Sequence, residues 1–426
     1  MTPTSHNDGK PVGRLESSAA ASRRTNSTAA PVQLNDTERM ILRAIVGAGL
    51  TTRLELSDRL GLSKATLSAA MKQLSAAALV SESTTVQGNL GRPASVYQVA
   101  ESAGYAIAVD LGRTRVRAQA VTIDGRPLAD MQMPVPPPKA DVSPAAVAAA
   151  RQLMPAVARK IGSRSHLVRC VIAAPIKVSV DDPVPVELAP VAECVQSLST
   201  ASRGGPVVVD IENNVNCAAI AEGRWGSAAG AETFCFLQVG VRIGLGIVNE
   251  GRLLRGGLGG AGEVSSLPFP WSADLRPRRL GLEQRLGAGD LVRRARKLPS
   301  RRRTSDAAAI FAAAQAGEKD MQALVQTHAR EVGEMAAAVV AILDPGLLIL
   351  GGGVGQNPLL LDRVRATVRR LTWETEIRSG VLGPDATIMG AAQLAADAAL
   401  ADILASSEAV QPGRAGAAAP AQQLTM

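Results

Sequence analysis

Tyr105-Ala-Ile-Ala-Val-Asp110-Leu-Gly112 runs through Thr114 into a second extended stretch that ends at Asp124-Gly125. The same design returns at Phe234-Cys-Phe-Leu-Gln-Val-Gly240, which passes Gly244 and Gly246 and ends at Glu250-Gly251. Aliphatic runs closed by glycine turns predict strand–turn–strand units. Two of them, separated by Ala-rich helical segments, predict an α/β fold of two related lobes that face a cleft. Glycine permits the tight turn and lets backbone N–H groups approach a phosphate. Glycine turns between strands are usually only turns, so the hairpins by themselves name no ligand.

N-terminal to this unit the pattern changes near residue 102. Asn35 with Glu38 three residues on forms a capping-box signature, and Met40, Ile41, Ala44 and Ile45 follow as one apolar stripe. A second short helix carries Leu56 and Leu60 and stops at Gly61. Ser63 then caps a third helix, where Leu67, Ala70, Met71 and Leu74 repeat at helical spacing. Its opposite face is small, polar and barely acidic, so it can lie close to a DNA groove. Extended stretches at about 79–86 and 94–99, joined through Gly91-Arg92-Pro93, complete a winged helix-turn-helix. The residues expected to meet DNA are Ser63, Lys64, Thr66, Ser68, Lys72 and Gln73, with Arg92 held extended by Pro93 at the wing tip. Residues 1–34 and 405–426 read as disordered tails, 35–102 as the DNA-binding domain and 103–404 as the two-lobed domain.

The 426 residues hold 46 Lys+Arg against 38 Asp+Glu. That surplus hints at nucleic acid, but its location weakens the hint. Residues 35–100 hold seven basic and five acidic side chains, whereas 276–303 hold eleven and two. The DNA reading therefore rests on helix spacing and the wing. The basic segment reads as a solvated helix and loop, or as an auxiliary surface for phosphates or a partner. Four scattered cysteines and three histidines point to a reducing cytoplasm without a disulfide framework. With no signal-peptide pattern and no run of about 18 apolar residues, a cytoplasmic protein without a membrane span is expected.

Taken together, residues 36–404 resemble the ROK family of repressors, open reading frames and kinases, and within it the N-acetylglucosamine/xylose repressor type. Asp110-Leu-Gly-Arg-Thr114 is similar to the first phosphate loop, and Glu212-Asn-Asn-Val-Asn216 to the segment of the catalytic aspartate. Gly259-Gly-Ala-Gly-Glu263 is similar to the sugar-binding loop, and Asp344 through Val354 to the strand and glycine turn under the nucleotide. Leu382 through Ala396 is similar to the closing helix. The resemblance implies an actin-like (ribonuclease H-like) two-lobed sugar-kinase fold, one lobe about 103–212 plus 386–404 and the other about 213–385.

The departures from the family carry as much meaning. Asn214 stands at the position of the aspartate that takes the proton from the attacking sugar hydroxyl, and an amide cannot take it. Loss of a general base typically costs about 10²–10⁴ in rate. Arg113 replaces a loop glycine, and Val241-Arg242 replaces a Thr-Gly pair, so ATP binding is not expected. The family's zinc histidine is Ser266, and Asp274, Arg276 and Gly281 stand at the cysteine positions, so no metal is expected either. Asn213, Asn214, Glu263, Ser266 and Glu283 occupy the positions that hold sugar hydroxyls; apart from the resemblance, Glu263 reads as a turn cap and Glu283 as a residue on a solvated helix.

The resulting expectation is a DNA-binding transcriptional regulator, a repressor of carbohydrate-related genes, with no catalytic residues. It would bind an inverted-repeat operator in double-stranded DNA as a homodimer or tetramer and sense a sugar or sugar phosphate. Two other readings stand beside it: an active sugar kinase with an appended DNA-binding domain, and a ligand-free regulator controlled by a protein partner.

Overall fold

The computed structural model describes residues 33–86, 94–136, 141–179, 184–201, 206–267, 280–298 and 305–405. Arg92, Asp274, Arg276, the 301–303 arginines and most of both expected tails lie outside them. The N-terminal unit is α1 (Asp36–Ala48), β1 (Thr51–Thr52), α2 (Arg53–Leu60), α3 (Lys64–Ala76), β2 (Val80–Val86) and β3 (Ala94–Val99). Asn35 and Glu38 form the expected capping box, and Gly61 ends α2 in the left-handed conformation. Ser57 holds the turn by donating its hydroxyl to the Leu62 carbonyl at 2.8 Å.

Two expectations change here. Leu34, assigned to the tail by its polar neighbours, is only 5% exposed and joins the core of this unit. Met40, assigned to the apolar stripe, is 37% exposed, and Leu42 is buried beside Ile41 and Ile45 instead. No local pattern marks β1, whose two threonines pair with Tyr97 and Val96 of β3 and widen the wing to three strands in the order β1–β3–β2.

The first lobe holds β4 (Tyr105–Leu111), β5 (Arg115–Thr122), β6 (Pro127–Pro134), α4 (Pro144–Ile161), β7 (Leu167–Ala174), α5 (Ala189–Ala201) and β8 (Val208–Asn213). α6 (Asn214–Trp225) follows at once. The second lobe holds β9 (Phe234–Val239), β10 (Ile243–Asn249), β11 (Arg252–Leu253), α7 (Gly281–Leu286), α8 (Ala288–Ala295), α9 (Ala307–Gln315) and α10 (Lys319–Leu343). It continues with β12 (Leu347–Gly351), α11 (Gly352–Gly355), α12 (Pro358–Leu371) and β13 (Glu376–Ser379), and α13 (Ala386–Ala405) is the last described element. The sheets run β6–β5–β4–β7–β8 and β11–β10–β9–β12–β13. In each, an antiparallel meander leads into two parallel strands. The two lobes are therefore built to one plan, as the twin hairpins predict.

Alternation along β4 explains why it is buried throughout. Tyr105, Ile107, Val109 and Leu111 face the α4 core, while Ala106 and Ala108 share a core with α13. The small side chains on that face let α13 lie close to the sheet. α13 also crosses α6, and a methyl group at Gly390 would stand 1.8 Å from the Cys217 carbonyl oxygen. The same core continues from Ile388, Ala395 and Leu404 of α13 to Ile41, Leu42 and Ile45 of α1. One helix thus packs on the first sheet and on the helix that begins the second lobe, and shares a continuous core with the DNA-binding unit. By length and composition α13 could cross a membrane, although Gln393 and Asp397 interrupt its apolar run. Its apolar residues are instead largely spent on these contacts.

Arg126 ties the wing to the first lobe. Its Nη2 donates to the Val99 carbonyl at 2.6 Å and its Nη1 to Gln98 Oε1 at 3.2 Å, while Nε pairs with Asp124 at 2.9 Å. In the basic segment, Arg294 pairs with Glu331 of α10 at 2.6 Å and with Asp290 at 3.6 Å, and Arg285 pairs with Glu331 at 3.7 Å. Both carboxylates are buried, so these arginines fasten α7 and α8 to α10.

Gly390→Ala is expected to lower the stability of the full chain by about 2 kcal/mol or more, because two helix backbones must part to admit the methyl group. Urea unfolding checks this; a midpoint equal to that of the unsubstituted chain would contradict the close crossing.

Candidate functional site

On α3 the apolar face Leu67, Ala70, Met71 and Leu74 is buried, while Ser63, Lys64, Thr66, Ser68, Lys72 and Gln73 are all exposed. Lys64, Ser68 and Lys72 follow one another at four-residue spacing, which places them along one side of the helix. Among the described residues, neither Lys64 nor Lys72 has a carboxylate within ion-pair distance, so both ammonium groups are available to phosphates. Ser63 and Thr66 are partly committed: the Ser63 hydroxyl accepts from the Thr66 N–H at 3.1 Å and lies 2.9 Å from its hydroxyl. Sequence reading missed Arg53, whose guanidinium sits 5.1 Å from the Tyr97 ring centroid and so stacks on the wing.

The second site is a cavity of about 350 Å³ between the lobes, lined by Asn213, Asn214, Glu263, Ser266 and Glu283 together. Residues far apart in the chain meet because β8 ends where α6 starts and because the loop after β11 and helix α7 fold back over that end. Asn213 is the cap of α6: its Oδ1 accepts from the Val215 N–H at 2.8 Å, and its Nδ2 donates to the Ile176 carbonyl at 2.9 Å. Beneath it, buried Glu212 accepts from the Asn213 N–H at 2.9 Å and from Asn216 Nδ2 at 2.8 Å, and it pairs with Arg255 at 2.8 Å. This network fixes the start of α6. The Asn214 side chain, by contrast, hydrogen-bonds nothing among the described residues.

Glu263 is half-buried, and burial pushes its carboxyl above the usual range; Lys177 and Arg242 oppose that rise and Glu283 adds to it. Arg242 reaches across the cleft to pair with Asp141, and its Nη1 lies 3.9 Å from Glu283 Oε2. Arg113 lies in the same field: burial, with Arg242 nearby, holds its guanidinium below its usual value. Lys177 and Asp141 line the cavity without having been singled out from sequence. Lys177 lies just beyond the carboxyl end of the parallel strand β7, where open α/β sheets place their ligands, a signal that would have found it. Asp141 has no such signal. Among the described residues no three His, Cys, Asp or Glu side chains are grouped to hold a metal. Of the family's cysteine positions only Gly281 is described, at the start of α7.

Asp110, at the end of β4, is buried, and burial pushes its carboxyl up to about 6 against the pull of Arg117 and Arg115. Arg117 is itself occupied by Asp130 at 3.0 Å and by Asp385.

Residues 106–398 match the ROK family, and residues 34–77 match the winged helix-turn-helix DNA-binding family. The chain belongs to the ROK family and carries an N-terminal winged helix-turn-helix. It is 32% identical over 198 residues to the bifunctional enzyme NanE/NanK of Brucella suis, a stretch that is 46% of this chain and 36% of that enzyme. The chain thus spans about a third of the length of this relative. A ROK family transcriptional regulator, a homologue of the E. coli MLC protein, superposes with a TM-score of 0.66 at 20% identity, over 87% of this chain and 96% of that one. A ROK family glucokinase from Streptomyces griseus, in complex with glucose and AMPPNP, superposes with a TM-score of 0.55 at 25% identity, over 68% and 99%.

Asp110 sets a pH dependence opposite to that of an ion-paired carboxylate. The folded chain holds its proton more tightly than the unfolded chain, whose carboxyl titrates near 3.8. Stability is therefore lost as pH rises from about 4 to about 6 and stays lost above that. Asp110→Asn is expected to gain stability over the original chain across this window, by on the order of 2–3 kcal/mol above pH 6. Urea unfolding of both chains at several pH values measures the difference, and a difference independent of pH would contradict this.

Proposed function

We propose that this ROK family member is a sequence-specific DNA-binding transcriptional regulator, a repressor of carbohydrate-related genes. Its core would no longer phosphorylate sugar and would instead dimerise and sense a sugar or sugar phosphate in the interlobe cleft. The observation that carries the reading is Asn214: it lines the cleft at the position of the family's catalytic base, with a side chain that can hydrogen-bond a hydroxyl but cannot take its proton. The exposed lysines of α3 support DNA binding, as does the likeness to a transcriptional regulator of the same family.

In this reading Asn213, Asn214, Glu263, Ser266 and Glu283 contact the ligand, with no zinc and no ATP. The two carboxylates suit adjacent hydroxyls, which each can engage bidentately. Ligand drawing the lobes together would move α6, hence α13 and α1, and shift the spacing between the two reading helices of a dimer. A symmetric dimer requires an inverted-repeat operator. The second reading, a working kinase with an added DNA-binding domain, is favoured by the retained Asp110 and by the likeness to glucokinase.

Footprinting on the protein's own promoter region is expected to show protection that the double substitution Lys72→Ala, Arg92→Ala removes. The same variant should flatten the dependence of affinity on salt by about 0.9 for each phosphate that is no longer neutralised. Unchanged protection would sink the assigned reading face. A coupled assay of ADP release over a hexose panel is expected to show no turnover; turnover abolished by Asn214→Ala or Glu263→Ala would establish the kinase reading instead.

A further inference from the structure

Arg242 stands in the turn between β9 and β10 of the second lobe, and Asp141 precedes α4 in the first. Their ion pair therefore spans the mouth of the cleft. It is an incomplete pair. A guanidinium presents Nε and Nη2 along one edge, and a carboxylate or phosphate seated there takes both N–H groups. Arg169 shows the complete form in this same molecule: its Nε and Nη2 reach the two oxygens of Asp210 at 2.7 and 3.0 Å. Arg242 meets Asp141 through Nη2, and its Nε is buried with no hydrogen-bond partner among the described residues. A buried donor without an acceptor is a standing penalty that a better-seated anion removes. Asp141, with its side chain 52% exposed, regains water when released.

We infer that the cleft takes an anionic sugar derivative, whose phosphate or carboxylate seats on the Nε–Nη2 edge of Arg242 in exchange for Asp141, so that ligand entry breaks a salt bridge between the lobes. The inference rests on the proposed reading of the cleft as a sugar site and adds the charge of the ligand and the contact it replaces. Two further features agree. Glu283 lies 3.9 Å from Nη1, off that edge, and can remain in place while the edge changes partner. Lys177 lines the cavity with no carboxylate within ion-pair distance among the described residues. A neutral hexose would leave both cations, Arg242 and Lys177, as they are. It would also leave Asp141 bound, and with it the bridge between the lobes.

Calorimetric titration of the full chain with glucose, glucose 6-phosphate, glucuronate and inorganic phosphate tests this. At least one of the two anionic sugars is expected to bind about tenfold or more tighter than glucose and tighter than phosphate alone. Asp141→Asn should widen the preference for the anionic sugar over glucose several-fold, because the competitor is gone. Arg242→Gln should erase that preference. Circular dichroism melts of both variants establish that they are folded before titration, and if Arg242→Gln is not, the Asp141→Asn result decides alone. Glucose bound as tightly as both anionic sugars would overturn the inference and leave the cleft reading standing. So would inorganic phosphate bound as tightly as the sugar phosphate, or a preference that Asp141→Asn does not widen. Binding of none of the four would overturn the cleft reading and this inference with it.

Discussion

Gly390 against the carbonyl of Cys217 is the contact that sets the positions of the other parts. It brings α6 and α13 backbone to backbone, closer than any side chain would allow. α6 begins in the cleft at Asn214, directly after the strand that ends the first sheet, and it lines the face of the second sheet. α13 lies on β4 and β7 of the first sheet and shares its core with α1. The helix that begins in the cleft and the core that receives α1 are thus joined through α13. Arg126 adds a polar fastening to the apolar one, gripping the wing strand through Gln98 and Val99.

The cleft combines a rigid floor with uncommitted groups above it. Glu212, Asn213, Asn216 and Arg255 satisfy one another and hold the first turn of α6. Asn214 and Glu263 line the cavity above that floor with no side-chain hydrogen bond among the described residues, which leaves their donors and acceptors open. A kinase needs one more property, a group that gains a proton at the moment of attack, and an amide lacks it. In the proposed reading, features that weaken catalysis would leave recognition intact, because hydrogen bonding to a polyol asks only for donors and acceptors in place.

Arginine dominates the basic side of the composition, with only eight lysines in the chain. Its uses in the fold are structural more often than the net charge implies. Arg294 and Arg285 neutralise buried carboxylates between helices, Arg169 joins β7 to Asp210 and Asp402, and Arg126 joins two domains. Planar guanidinium groups suit such positions because each can satisfy several acceptors at once. The exposed face of α3, by contrast, carries two lysines, Lys64 and Lys72.

Local sequence encodes the elements and their kinds. Asn35 with Glu38, Gly61 and Ser63 mark helix ends through local hydrogen bonds, and the twin hairpins mark two lobes through strand periodicity, so each can be read within a few residues. The five polar residues of the cleft are legible only through their match to a family, because nothing in their spacing links Asn213 to Glu283. The long-range pairings belong to the tertiary structure alone: Arg242 with Asp141, Arg126 with the wing, Lys177 beside Glu263, and Gly390 against Cys217. Leu34 and Met40 show the same limit in apolar form, since burial depends on which neighbour covers a side chain and not on its own pattern. Sequence periodicity records which face of an element is covered; the partner across a cleft or a domain boundary is set by how the lobes close, and no local pattern encodes it.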